Sequence, residues 1–93
     1  MDEIIIKSEL HKKIITFFHE NPSSIDTPRG IATWVRGDYA KVKQVLSDLV
    51  KSGILIDHKV SSTTGYSYTR NPRAISQIRK LLNNKPSRKQ KKQ

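Results

Sequence analysis

Residues 27–53 read TPRGIATWVRGDYAKVKQVLSDLVKSG, a pattern of two helices joined by a very short turn. Thr27-Pro28 has the form of a helix start: a hydroxyl to accept a first-turn amide, then a proline where no amide is needed. Ile31, Ala32 and Val35 give the segment a short apolar face. Arg36-Gly37-Asp38 breaks the pattern, since glycine takes the left-handed geometry that ends a helix and aspartate caps the next one. From Tyr39 to Ser52, Val42, Val45, Leu46, Leu49 and Val50 fall on one side of a helix, with Lys41, Lys43, Gln44, Ser47 and Lys51 largely on the other. Gly53 suits its end.

Upstream, Ile6, Leu10, Ile14, Phe17 and Phe18 recur at helical spacing between Ile4 and Glu20, with Ile15 widening the stripe, and predict a first helix. Asn21-Pro22-Ser23-Ser24 stops it. Downstream, Ile54 to Val60 is rich in β-branched residues and Tyr66 to Thr69 alternates aromatic with hydroxyl side chains, so two strands are expected with Ser61 to Gly65 as the hairpin loop. Asn71-Pro72 starts a last helix whose apolar face is Ile75, Ile78, Leu81 and Leu82, ending near Asn83-Asn84. Beyond Pro86 there is no apolar residue to bury, which predicts one domain over residues 1–84 and a disordered basic tail over residues 85–93.

Ninety-three residues allow one modest core, and a deep catalytic cleft is not expected. Eighteen Lys and Arg against eight Asp and Glu give a formal charge of +10, for which a polyanion is the natural partner. Five of those cations lie in the last nine residues, and the rest of the chain keeps thirteen against all eight acids. The absence of cysteine excludes disulfides, thiolate nucleophiles and cysteine-ligated zinc. The longest apolar run, Ile4 to Ile6, is far short of the roughly 20 residues of a membrane span, and no signal peptide opens the chain. A cytoplasmic, nucleoid-associated protein without a membrane partner is expected.

His11, His19 and His58 are scattered, with no partner at the helical spacing of a metal site, and are expected at the surface. Neither a glycine-framed nucleophile nor a phosphate loop nor a carboxylate pair is present, so no enzymatic activity, metal or cofactor is expected. Trp34 is expected in the core, because large aromatics dominate small cores. Tyr39 is divided between core packing and base contact, whereas Tyr66 and Tyr68, two apart on a strand, are expected to pack on the body.

The order helix, short helix, tight turn, helix, hairpin, helix resembles the winged helix-turn-helix family of DNA-binding domains, over about Leu10 to Arg70. Ala32 matches the small residue that the family keeps in its second helix. Val42, Leu46, Leu49, Gly53, Ile54 and Leu55 match the run that ends its third helix and begins a strand. The resemblance implies an α+β fold: a three-helix core, a two-stranded wing and an extra C-terminal helix. It also implies that the third helix enters a major groove with Tyr39, Ala40, Lys43, Gln44 and Ser47, while Lys41, Thr27 and Arg29 meet phosphates. The wing, Ile56 to Arg70, would reach phosphates with Lys59, Arg70 and the hydroxyls of Ser61, Ser62, Thr63 and Thr64. Its tip carries no Arg or Lys, unlike relatives that read the minor groove, so only a phosphate role is assigned to it.

Double-stranded DNA is therefore the expected partner and transcription regulation the expected role, with the basic tail as a flexible arm. Two rivals stand beside it: a non-specific architectural DNA binder, and a protein-protein adaptor in a larger complex whose third helix faces a protein. A homodimer through the first and last helices is expected, because Ile4, Ile5, Leu81 and Leu82 exceed what one small core can cover.

Overall fold

The computed structural model describes residues 6–83. The expected basic tail and the Ile4-Ile5 start of the first helix lie outside the described residues.

The first helix, α1 (Glu9–Glu20), begins later than its apolar stripe suggests. The Ser8 hydroxyl accepts from the His11 amide at 3.2 Å and Glu9 adds an acid to the first turn, so the cap outweighs the periodicity upstream of it. Ile6 still packs against the core from outside the helix. Asn21 closes α1, donating from its side chain to the Phe17 carbonyl at 2.8 Å.

A two-residue strand, β1 (Ile25–Asp26), leads into α2 (Pro28–Val35). Thr27 caps α2 as its sequence implies, accepting from the Gly30 amide at 3.2 Å. The left-handed residue that ends α2 is Arg36, at φ 56°, and not Gly37. Gly37 has a different constraint. A Cβ there would lie 3.1 Å from Val42 Cγ2, 3.2 Å from Leu10 Cδ1 and 3.3 Å from Val35 Cγ2, so a side chain at the turn would push these three neighbours back by a few tenths of an ångström.

Helix α3 (Tyr39–Lys51) starts on Asp38, whose carboxylate accepts from the Lys41 amide at 3.0 Å, and the chain leaves it through Gly53 at φ 80°. Strands β2 (Leu55–Val60) and β3 (Thr63–Tyr68) follow. The hairpin loop is only Ser61-Ser62, with Ser61 at φ 54°. Thr63, Thr64 and Gly65, read from sequence as loop, pair instead with Val60, Lys59 and His58. β1 pairs with the other edge of β3, giving a three-stranded antiparallel sheet in the order β1-β3-β2 where two strands were expected. Gly65 makes that edge accessible, since a Cβ there would stand 2.8 Å from Ile25 Cγ2. Finally, α4 (Pro72–Asn83) starts with the Asn71 side chain accepting from the Arg73 amide at 2.9 Å.

The core joins Ile14, Ile15 and Phe18 of α1, Ile31 of α2, the Val42, Leu46 and Leu49 face of α3, Leu55 and Tyr68 of the sheet, and Ala74 and Ile78 of α4. Full burial of each large apolar side chain contributes roughly 1.5–3 kcal/mol. Trp34 is not among them: it is 69% exposed. Helix α2 buries Ile31 instead, and the indole lies outside against Phe17, ring centroids 5.7 Å apart.

His11 corrects the expectation of a surface residue. It is buried, with Nε2 3.2 Å from Asp48 Oδ2 on α3 and Nδ1 2.6 Å from Ser8 Oγ. A neutral imidazole protonated on Nε2 satisfies both contacts, donating to the carboxylate and accepting from the serine hydroxyl. That hydrogen bond, foremost, holds the Asp48 carboxyl below its ordinary value of 3.8, and the charge of Lys7 adds to it. His19 and His58 are half-buried, paired with the Tyr68 hydroxyl at 2.9 Å and the Ser67 hydroxyl at 2.8 Å. Burial pushes the Tyr68 phenol up to about 12. The helix order with its appended sheet is the α+β winged-helix arrangement.

Candidate nucleic-acid interface

Because Val42, Val45, Leu46 and Leu49 turn inward, the helical period turns Ala40, Lys41, Lys43, Gln44 and Ser47 outward, and all five are exposed. None of these outward residues is acidic. Asp38 is spent on the cap, and Asp48 lies toward α1 against His11.

Tyr39 opens α3 and is 41% exposed, so the structure resolves its divided expectation in favour of the surface. The Arg29 guanidinium, from the first turn of α2, lies 5.0 Å from its ring centroid, and the Lys43 ammonium, one turn further along α3, lies 5.4 Å from it. Both distances suit cation–π attraction, worth about 0.5–1 kcal/mol each at exposed sites. The ring thus gathers one cation from each of the two crossing helices. Tyr66, on the helix side of β3, is half-buried nearby, its phenol pushed up by burial and further by the charges of Asp57 and Tyr39.

Thr27, half-buried at the start of α2, keeps its hydroxyl hydrogen free to donate while its oxygen serves as the cap. The structure thus brings Arg29, Tyr39 and Lys43 together, with Thr27 at the start of α2 and Lys41 in the first turn of α3. The wing residues do not all join them. Strand alternation puts Lys59 on the same side of the sheet as buried Leu55 and Tyr68, facing the helices, whereas Thr63 pairs with Val60 on the opposite side. Ser62 is in the turn, and Arg70 lines a 330 Å³ hollow with Ile25, Ile56, His58 and Ser67 on that far side. Thr63 and Arg70 are thus separated from the α3 surface by the thickness of the sheet.

Sequence reading did not find the Arg29–Tyr39–Lys43 grouping, although Tyr39 and Lys43 carry a visible signal at four residues' separation. Arg29 joins them only through the crossing of two helices. Among the described residues no group of three or more His, Asp or Glu is placed to hold a metal ion, and no helix is long and apolar enough to cross a membrane.

No family model matches the sequence, and no curated protein does. Several solved structures match in fold. ZitR from Lactococcus lactis, a zinc-responsive MarR family member, has a TM-score of 0.67 at 15% identity, over 87% of this chain and 54% of that one. The ferric uptake regulator from Francisella tularensis has 0.67 at 16%, over 76% and 58%. MepR, a transcription regulator of the Staphylococcus aureus multidrug efflux pump MepA, has 0.68 at 9%, over 83% and 56%. The chain thus spans 54–58% of the length of these three structures. At such identities the likeness is one of fold: the winged helix of transcription regulators.

Proposed function

We propose that this winged-helix chain binds double-stranded DNA as a transcription-regulator-like protein. The outward face of α3 enters the major groove, and the starts of α2 and α3 hold the phosphate backbone. The grouping of Arg29 and Lys43 on the exposed ring of Tyr39 carries the proposal, because it concentrates positive charge at the helix starts. There, free backbone amides and the helix dipoles also favour an anion. Thr27, Arg29 and Lys41 are then backbone contacts, and Tyr39, Ala40, Lys43, Gln44 and Ser47 face base edges. Ser62, at the turn, and Lys59 would meet a flanking phosphate; Thr63 and Arg70 would reach DNA only where the duplex wraps past the wing tip.

The test is duplex binding by the full chain and by the K43A/Q44A variant, measured on a preferred site and on unrelated sequence. Loss of preference between the two duplexes is expected if these side chains read bases. Equal affinity of the unmodified protein for both duplexes would replace sequence reading with architectural binding. No binding even at low salt would favour the protein-protein adaptor, whose third helix faces a protein.

A further inference from the structure

Duplex binding leaves the free edge of β2 and the outer face of the sheet unused. With the order β1-β3-β2, nothing among the described residues pairs with the outer edge of β2. The hydrogen-bond phase identifies the groups that point there. The Thr69 amide donates to the Ile54 carbonyl at 2.9 Å, and the register runs from Leu55 opposite Tyr68 to Val60 opposite Thr63. Ile54, Ile56, His58 and Val60 therefore bond inward to β3, while Asp57 and Lys59 direct their backbone N–H and C=O groups to the free edge.

The side chains alternate in the same way. Asp57 and Lys59 share the helix side; Ile56, His58 and Val60 share the outer face, where Ile56 is 38% and Val60 56% exposed. Ile25, 62% exposed, lies in the same cross-strand row as Ile56, through Ser67. Along β2 the order apolar, acid, histidine, base, apolar is self-complementary about His58, apolar matching apolar and acid matching base.

We infer that β2 is a self-pairing edge: two copies of this chain join antiparallel through β2, with the two-fold axis at His58. In that register Asp57 stands opposite Lys59 of the second copy, and Lys59 opposite its Asp57, each pair exchanging the outward backbone bonds. Ile56 covers Val60 of the second copy, and Val60 its Ile56. The neighbouring in-phase registers, centred on Asp57 or on Lys59, set like charges directly opposite each other and are disfavoured. Charges of one sign on an edge strand would only guard it against pairing. An acid and a base disposed about one residue complement a second copy of themselves. Lys59 then serves the dimer in place of a flanking phosphate, leaving Thr27, Arg29 and Lys41 as the phosphate contacts and Lys43 at a base edge.

The experiment is sedimentation of the full chain without DNA, so that pairing is read apart from duplex binding, from about 10 μM to about 1 mM to cover the weak end expected of a small interface. The weight-average sedimentation coefficient should rise with concentration toward that of a dimer. D57K and K59D should each abolish the rise, and D57K/K59D, which restores opposite charges across the axis, should regain it, with circular dichroism confirming that all three fold. A protein monomeric throughout, association insensitive to either single swap, or a folded double variant that fails to associate would each overturn the inference.

Discussion

The Arg29 guanidinium, from α2, lies 5.0 Å from the centroid of the Tyr39 ring, at the first position of α3, and so couples the two helices at the surface proposed to meet DNA. Lys43 approaches the same ring at 5.4 Å, which makes Tyr39 a spacer between two cations as well as a surface group. Y39F keeps the ring and should bind duplex within about twofold of the unmodified protein. Y39A releases both side chains and should weaken binding by about five- to tenfold, as expected for a loss of about 1–1.4 kcal/mol. Fluorescence anisotropy with one labelled duplex measures both.

Arg29 and Lys41 are assigned to phosphates, and Lys43 to a base edge. R29A and K41A should each reduce the slope of log affinity against log salt by about 0.9, with equal effects on unrelated sequences. K43A should instead act unequally on different duplexes. A uniform effect of K43A would move Lys43 to the backbone contacts.

The turn between α2 and α3 was legible as a turn, but the roles of its residues were not. Sequence alone favours Gly37 for the left-handed position because glycine has no steric penalty there, whereas the close contacts at Gly37 come from Val42, Val35 and Leu10, the last of them on another helix. The left-handed position is taken by Arg36, at φ 56°. R36G should therefore be neutral or stabilising by up to about 1 kcal/mol, and G37A should cost about 1–3 kcal/mol by overpacking. Urea unfolding of the two variants tests the exchange of roles.

His11 ties α1 to α3 through Asp48, and H11A should cost about 1–3 kcal/mol for the lost hydrogen bonds and packing. The pH dependence follows from the carboxylate. Its folded value is depressed below 3.8, so the stability it contributes is fully present above that value and is lost as pH falls through the lower, folded one. D48N removes this contribution and should flatten the acid side of the stability curve. Thermal unfolding between about pH 2 and pH 6 in steps of half a unit is the check.

Trp34, the one tryptophan of the chain, reports its own placement. Being 69% exposed, it should emit at the long wavelengths of a hydrated indole in the folded protein and be quenched by iodide almost as fully as in the unfolded chain. W34A should cost less than about 1 kcal/mol, since the ring buries little beyond one face against Phe17.

Local signals made the helices readable: Thr27-Pro28, Asp38, Gly53 and Asn71-Pro72 are chemical boundaries that the structure uses as such, apart from Arg36 and the late start at Ser8. What was not readable depends on contacts distant in sequence. β1 exists because Ile25 and Asp26 meet Ser67 and Tyr66, which are far away in sequence. The hairpin loop shrank to two residues because small and hydroxyl-bearing side chains at 63–65 serve equally in a turn or in a strand lying under Ile25. Trp34 lies outward because α2 turns Ile31 to the core, and which face of so short a helix is buried is set by the elements it packs on. At the interface, the exposed face of α3 followed from periodicity. The convergence of Arg29 on Tyr39 and the division of the wing residues between two sides of the sheet needed the packed structure.

The most direct measurement is anisotropy of a labelled random-sequence duplex titrated with the full chain and with a chain ending at Asn84, at two salt concentrations, with unlabelled genomic fragments as competitors. Duplex reading by α3 requires salt-sensitive binding that survives the truncation, with some fragments competing far better than others. Binding that vanishes with the last nine residues, or that is absent at low salt, would contradict it.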